Sequence, residues 1–323
     1  MIYMLRSTFF VLSFIAGILA LGSCSKKSNP VAPSDTTKKV DTIAVGVYST
    51  ILADTSTFSK GVQLGRLNDP LIQSASGLAA SRSYPGMFWT HNDAGNSRDI
   101  FLLDSTGKRR TYFDVTNGAN IDWTDMAIGP GPTSGVNYIY LADVGDSKIN
   151  RGFVSIQRFP EPTGQIDTVN PGVTAAADHI TFIYPDGARD AETILLDPLT
   201  KDIYIIDKAT SLAGVYLAKY PQPVGTIFTI QKIAVIQLSS LRGGSMSTDG
   251  QEILVKNPGV IYYWKRKSGE SVLDMLLRPP VTEPYLGEAH GEAIAWSVSG
   301  DSYWTTSKVM GNIIPDFTVY RKK

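Results

Sequence analysis

One short pattern recurs five times along this chain and restricts it to folds built by repetition. Each copy opens on a small or acidic residue and continues into a short apolar run. The copies are Ser76-Gly77-Leu78-Ala79-Ala80, Thr124-Asp125-Met126-Ala127-Ile128, Ala191-Glu192-Thr193-Ile194-Leu195, Gly244-Ser245-Met246-Ser247-Thr248 and Gly291-Glu292-Ala293-Ile294-Ala295. With Gly77, Asp125, Glu192, Ser245 and Glu292 as anchors, successive copies stand 48, 67, 53 and 47 residues apart. Four-stranded propeller blades run roughly 40–50 residues each, so the longest step carries an insertion.

The residues between anchors read as further strands. Second strands are expected at 87–90, 138–142, 202–206, 252–255 and 301–305, and third strands at 100–103, 153–159, 215–220, 260–265 and 317–321. Candidate fourth strands are 108–115, 179–184 and 230–238. From Val40 onward, β-branched and aromatic runs alternate with Gly, Pro, Asp and Asn, and long stretches of helical period are missing, as in chains of many short strands. The last copy reaches the C-terminus after its third strand. The segment 61–67 is therefore expected to supply its outer strand and close the ring, which would leave no long open edge. The expected fold is an all-β propeller of five four-stranded blades. A six-bladed ring is the alternative if 42–67 or the long step hides a degenerate unit. A β-sandwich does not account for five copies of one motif.

The N-terminus is of another kind. Arg6 precedes an apolar run from Phe9 to Leu21, too short for a membrane span of about 20 residues and of the length of a signal peptide. Leu21-Gly22-Ser23-Cys24 has the form of a lipobox, and Cys24 is the chain's single cysteine. The reading is a signal peptide over 1–23, a lipid-carrying Cys24 with a flexible tether over 24–41, and a propeller domain over 42–323. The tether is rich in Ser, Lys, Pro and Thr, a composition that cannot bury enough surface to order itself. Ser25 after the cysteine points to the outer membrane of a cell envelope, with Lys26 and Lys27 leaving the periplasmic or surface side open. Thirty basic and thirty acidic residues balance, so nucleic acid is not an expected partner.

Several runs together resemble a family of bacterial exported propeller proteins of unassigned function. They are Trp89-Thr90-His91-Asn92-Asp93-Ala94-Gly95, Asp122-Trp123-Thr124-Asp125, Asp143-Val144-Gly145-Asp146, Tyr184-Pro185-Asp186-Gly187-Ala188-Arg189-Asp190-Ala191-Glu192 and Gly291-Glu292-Ala293-Ile294-Ala295. The likeness extends over 76–321. In architecture and residue type the chain is also remotely similar to calcium-dependent propellers of the phytase and lactonase kinds. The first resemblance implies a propeller and no particular reaction.

In a propeller, the start of each inner strand and the turn joining the second and third strands emerge on one face. The chain's polar residues concentrate at these two places. Inner-strand starts carry Asp125, Glu192 and Glu292, with Asp122, Trp123, Asp190 and His290 close by. The turns carry His91, Asn92 and Asp93, then Asp143 and Asp146, then Asp207 and Lys208. Asp125, Glu192 and Glu292 are expected at a common register position, converging on the axis as ligands of a hard cation such as calcium, which takes 6–8 oxygens. The remaining residues would form a ligand face, with Trp123 placed to stack on a ligand. A structural reading competes, because Asp and Asn also cap turns through their own backbone. Trp89, Trp296 and Trp304 are expected between blades, and His179 is expected to be structural. No nucleophile elbow, phosphate loop or dinucleotide fingerprint is present.

The expected function is a lipid-anchored envelope propeller that presents one face to a ligand or to an envelope protein. The alternative is a calcium-dependent hydrolase acting on a phosphoester or lactone.

Overall fold

A computed structural model describes residues 43–323. The signal peptide, Cys24 and the tether lie outside the described residues. Five antiparallel sheets are arranged in a ring, each beginning with an inner strand at the axis. Blade 1 comprises Ala75–Ala80, Phe88–Asn92, Asp99–Leu103 and Arg109–Asp114. Blade 2 comprises Trp123–Pro130, Asn137–Asp143, Val154–Pro160 and Asp178–Ile183. Blade 3 comprises Ala191–Leu196, Ile203–Asp207, Ala213–Ala218 and Gln231–Ile236. Blade 4 comprises Gly243–Met246, Glu252–Lys256, Ile261–Lys265 and Val281–Glu283. Blade 5 comprises Ala293–Trp296, Ser302–Thr306 and Asp316–Arg321, with Val62–Arg66 antiparallel to the last of these. The protein is therefore a five-bladed β-propeller.

The inner strands follow one another round the axis in chain order, with the last beside the first. They approach so closely that some positions admit no side chain. A Cβ at Gly77 would stand 2.5 Å from His91 Nε2, and one at Gly243 would stand 2.4 Å from the Glu292 carbonyl oxygen. Apolar side chains alternate along each strand and fill the wedges between blades. Tyr140, Ile156 and Phe182 of blade 2 pack with Ile194, Ile203 and Tyr216 of blade 3 in one such cluster. Trp89 and Trp123 lie in the cluster shared by blades 1 and 2.

Successive blades are also tied at their rims. The insertion in the long step is the segment 161–177, between the third and fourth strands of blade 2. Its strand Gly172–Val173 reaches back to pair in parallel with the outer strand of blade 1. Ile227–Thr229 of blade 3 pairs likewise with blade 2, and Leu52–Ala53 pairs with the outer strand of blade 4. In blade 4 the same connection is the helix Val272–Leu277, which packs against the outer strand of blade 3. Ser271 caps it, accepting from the Asp274 N–H while Asp274 accepts from the Ser271 N–H, a reciprocal box that supports even a short helix. Ala44–Gly46 adds a further strand to blade 3. The segment 42–67, weighed above as a degenerate sixth blade, thus supplies edge strands within its described part.

Candidate functional site

The inner-strand starts and the second-to-third turns lie on one face, here called the mouth. All five blades send charged side chains to it. From blade 5, Lys308 pairs with Asp93 of blade 1 and stands 2.8 Å from Glu292 Oε2. Arg242, before the inner strand of blade 4, donates to Glu292 Oε1 at 2.8 Å, and His290 Nδ1 stands 3.0 Å from the same oxygen. Lys208 of blade 3 donates to Glu192 Oε1 at 2.5 Å and lies 3.9 Å from Asp190. Arg151 of blade 2 holds Asp143 at 2.9 Å. Lys256, fully buried at the end of the second strand of blade 4, donates to Glu288 at 2.8 Å and lies over the Tyr285 ring.

These pairings shape the protonation of the mouth. Burial pushes the Asp122 carboxyl up to about 7, reinforced by the charges of Asp93 and Asp190. Burial also raises Glu192 to about 7 against the pull of Lys208, with Glu292 and Asp190 adding to the rise. Burial opposes ionisation of Asp93, but Lys308 outweighs it and holds that carboxyl below its usual range. Neighbouring carboxylates with separated proton affinities are a recurrent property of functional sites.

Asp125 has a different part. It is fully buried, and it accepts N–H groups from three blades: Met126 at 2.8 Å, Ile194 at 2.9 Å and Gly244 at 3.1 Å. Burial raises its pKa, and the three N–H groups oppose the rise. Asp125 is a polar pin through the narrow centre of the ring. It does not share its register with Glu192. Bulges follow the first residue of both inner strands, and after them Asp125 faces Ala142 while Thr193 faces Ile206. Thr193 is thus the counterpart of Asp125, and Glu192 occupies the bulge. One inserted residue redirects the side chain.

A calcium ion needs several free oxygens. Both oxygens of Asp125 are occupied by backbone donors, and Glu192 and Glu292 are engaged by Lys208, Arg242 and Lys308. Among the described residues, no three acidic or imidazole side chains converge to hold a metal. Calcium could reach these three carboxylates only by displacing the partners that engage them here.

The ligand-face residues divide. Asp93, Asp122, Asp190 and His290 lie at the mouth. His91 is instead fully buried in the space left by Gly77, and burial lowers its pKa, so the ring is neutral. Its Nε2 has no hydrogen-bond partner among the described residues. Trp123 is also fully buried, edge-on to His91, and its indole N–H donates to the Ala119 carbonyl at 2.8 Å. It cannot stack on a ligand, because the bulge turns it between blades 1 and 2. Asn92 accepts from the Ser74 N–H and donates to the Leu71 carbonyl, fixing the approach to the first blade. Asp143 accepts from the Asp122 N–H, and Asp146 accepts from the Asn150 and Arg151 N–H groups, so both organise loops. His179 bonds the Asn117 carbonyl on an outer strand, away from the mouth.

Arg151, Arg242, Lys256, Glu288 and Lys308 were not anticipated from the sequence. The signal was available: Lys256 and Lys308 occupy the second-to-third turn region, as Asp93 and Lys208 do, and Arg242 precedes an inner strand as Asp190 does. No protein-family model matches the chain, and no curated protein is significantly similar to it. Fold and site together define a β-propeller whose mouth carries charged groups of both signs, a frame consistent with binding or presenting.

Proposed function

We propose that the chain is a lipid-anchored cell-envelope propeller whose mouth binds a polar ligand or an envelope protein. The observation that carries this reading is that all five blades converge on one face with charged side chains of both signs. Interspersed charge of this kind selects partners by complementarity and discourages wrong ones. Ala44–Gly46, near where the described chain begins, runs parallel to the outer strand Gln231–Ile236 at the rim of blade 3. Diacylation at Cys24 would supply the two chains that stable anchoring needs.

The test is in-cell photocrosslinking on the full chain. A photoreactive residue is placed at Asn96 or Ser211, both exposed in mouth turns, or at Thr200, exposed on the opposite face. Discrete adducts from the two mouth positions and none from Thr200 are expected. The same experiment on Cys24→Ser should recover the protein from the soluble fraction. Adducts independent of position, or a Cys24→Ser variant that stays with membranes, would contradict the reading.

A further inference from the structure

The face opposite the mouth holds a second site. A cleft of about 500 Å³ opens between blades 1 and 5, within the 300–1,000 Å³ range of small-molecule sites. Its floor is aromatic and apolar, formed by Phe88, Met87 and Trp304, with Val298 at the rim. Phe88 and Trp304 pack at 4.7 Å between ring centroids. Hydroxyls of Ser297, Ser299 and Ser302 line one wall. Two arginines, Arg82 and Arg321, stand at its edges.

Two donors in this cleft are open to a ligand. Trp304 is 7% exposed, yet its indole N–H has no partner among the described residues. Three other indoles are satisfied, Trp89 donating to Glu161, Trp123 to Ala119 and Trp264 to Arg278, while Trp296, packed among Phe58, Tyr263 and Tyr303 outside the cleft, is also without a partner among the described residues. Arg82 is the second donor. It donates to Thr248 Oγ1 at 2.7 Å, but among the described residues no carboxylate forms an ion pair with it. The nearest acid, Glu161, is saturated by Ser81 Oγ, the Arg82 N–H, Ser83 Oγ and the Trp89 indole. Burial lowers the Arg82 pKa, with Glu161 opposing. Glu161 is a nearby counter-charge for the partly desolvated guanidinium, which makes one side-chain hydrogen bond among the described residues.

Glu161 also makes the site rigid. By holding the turn after Ala80 through four donors, it fixes Arg82 and the adjoining wall before any ligand arrives, which reduces the ordering cost of binding. The one acid in the cleft, Asp301, accepts from the Ser297 and Ser302 hydroxyls through Oδ1, at 2.8 and 2.9 Å. It is therefore a wall element that orients hydroxyls.

From the cavity, the unpartnered indole and the two arginines at its edges, we infer that this cleft binds a small organic oxyanion. The ligand class is a carboxylate or phosphate carried on a flat or apolar body. Its charged group meets Arg82, an oxygen accepts from Trp304, and its body lies against Phe88 and Met87. The site is separate from the mouth and does not depend on the function proposed there.

Phenyl phosphate and benzoate, with phenol as the neutral control, test this by calorimetric titration of the full chain. Saturable binding of both anions, at least about tenfold tighter than phenol, is expected from a hydrogen bond to a charged group. Arg82→Gln should weaken anion binding about tenfold, and Trp304→Phe severalfold while keeping an aromatic floor. Lys219→Gln, at an exposed position just past the third strand of blade 3, should leave it unchanged. Phosphatidylglycerol and phosphatidylcholine vesicles identify the source: Arg82-dependent binding to the first alone assigns a lipid headgroup, and no vesicle binding assigns a free anion. Equal affinity for phenol, or binding indifferent to both Arg82→Gln and Trp304→Phe, would overturn the inference. Circular dichroism of each variant confirms that any loss is not unfolding.

Discussion

Asp125 and Glu192 share one position in the motif alignment and perform opposite tasks. Asp125 joins three blades through backbone donors, so Asp125→Ala should strand those N–H groups and cost about 3 kcal/mol or more. Asp125→Asn should also destabilise, because an amide offers one acceptor oxygen and turns an NH₂ toward donors. Denaturant midpoints measure both, and a neutral Asp125→Ala would remove the pin from the account. Glu192 belongs to the mouth. Its pKa is raised from 4.5 to about 7 on folding, so its contribution is fully present below the unfolded value and is lost as pH rises through about 7. Glu192→Gln should flatten the fall in melting temperature between about pH 5 and about pH 8; an unchanged slope would show that Glu192 does not titrate this way. The acidic half of the mouth was legible because carboxylates at inner-strand starts are conspicuous. The split between Asp125 and Glu192 was not, because a bulge leaves no mark in an apolar run. Trp123 stands at the same bulge, whereas His91 is buried because Gly77, which lacks a side chain, leaves space for its ring.

Among strands, the repeat exposed the inner, second and third members of every blade, and three of the fourth strands. Candidate ranges 108–115, 179–184 and 230–238 correspond to Arg109–Asp114, Asp178–Ile183 and Gln231–Ile236. Blade 4's outer strand, Val281–Glu283, is only three residues long and carries too little alternation to register. The same applies to the two- and three-residue strands that reach back across the rims. Their pairing is decided by the blade they meet, so local sequence cannot announce it. These rim ties predict how the ring fails. Residues 43–67 contribute strands to blades 3, 4 and 5. Their deletion should expose three edges and cause unfolding or aggregation, whereas deletion of 25–39 should leave the melting temperature unchanged. Equal melting temperatures for the two truncations would show that these strands are dispensable.

At the scale of the whole molecule, the account rests on how the mouth neutralises its own carboxylates. Lys208, Arg242 and Lys308, from blade 3, the strand linker before blade 4, and blade 5, engage Glu192 and Glu292 directly. A metal centre would leave such oxygens free, and a propeller frame accommodates either design. The melting temperature of the full chain in calcium and in chelator separates them most directly, since a ligand that binds only the folded state stabilises it by mass action. Charge balance from within predicts the same melting temperature in both. A saturable rise with calcium that Glu192→Gln or Glu292→Gln abolishes would contradict the account and make the mouth a metal site.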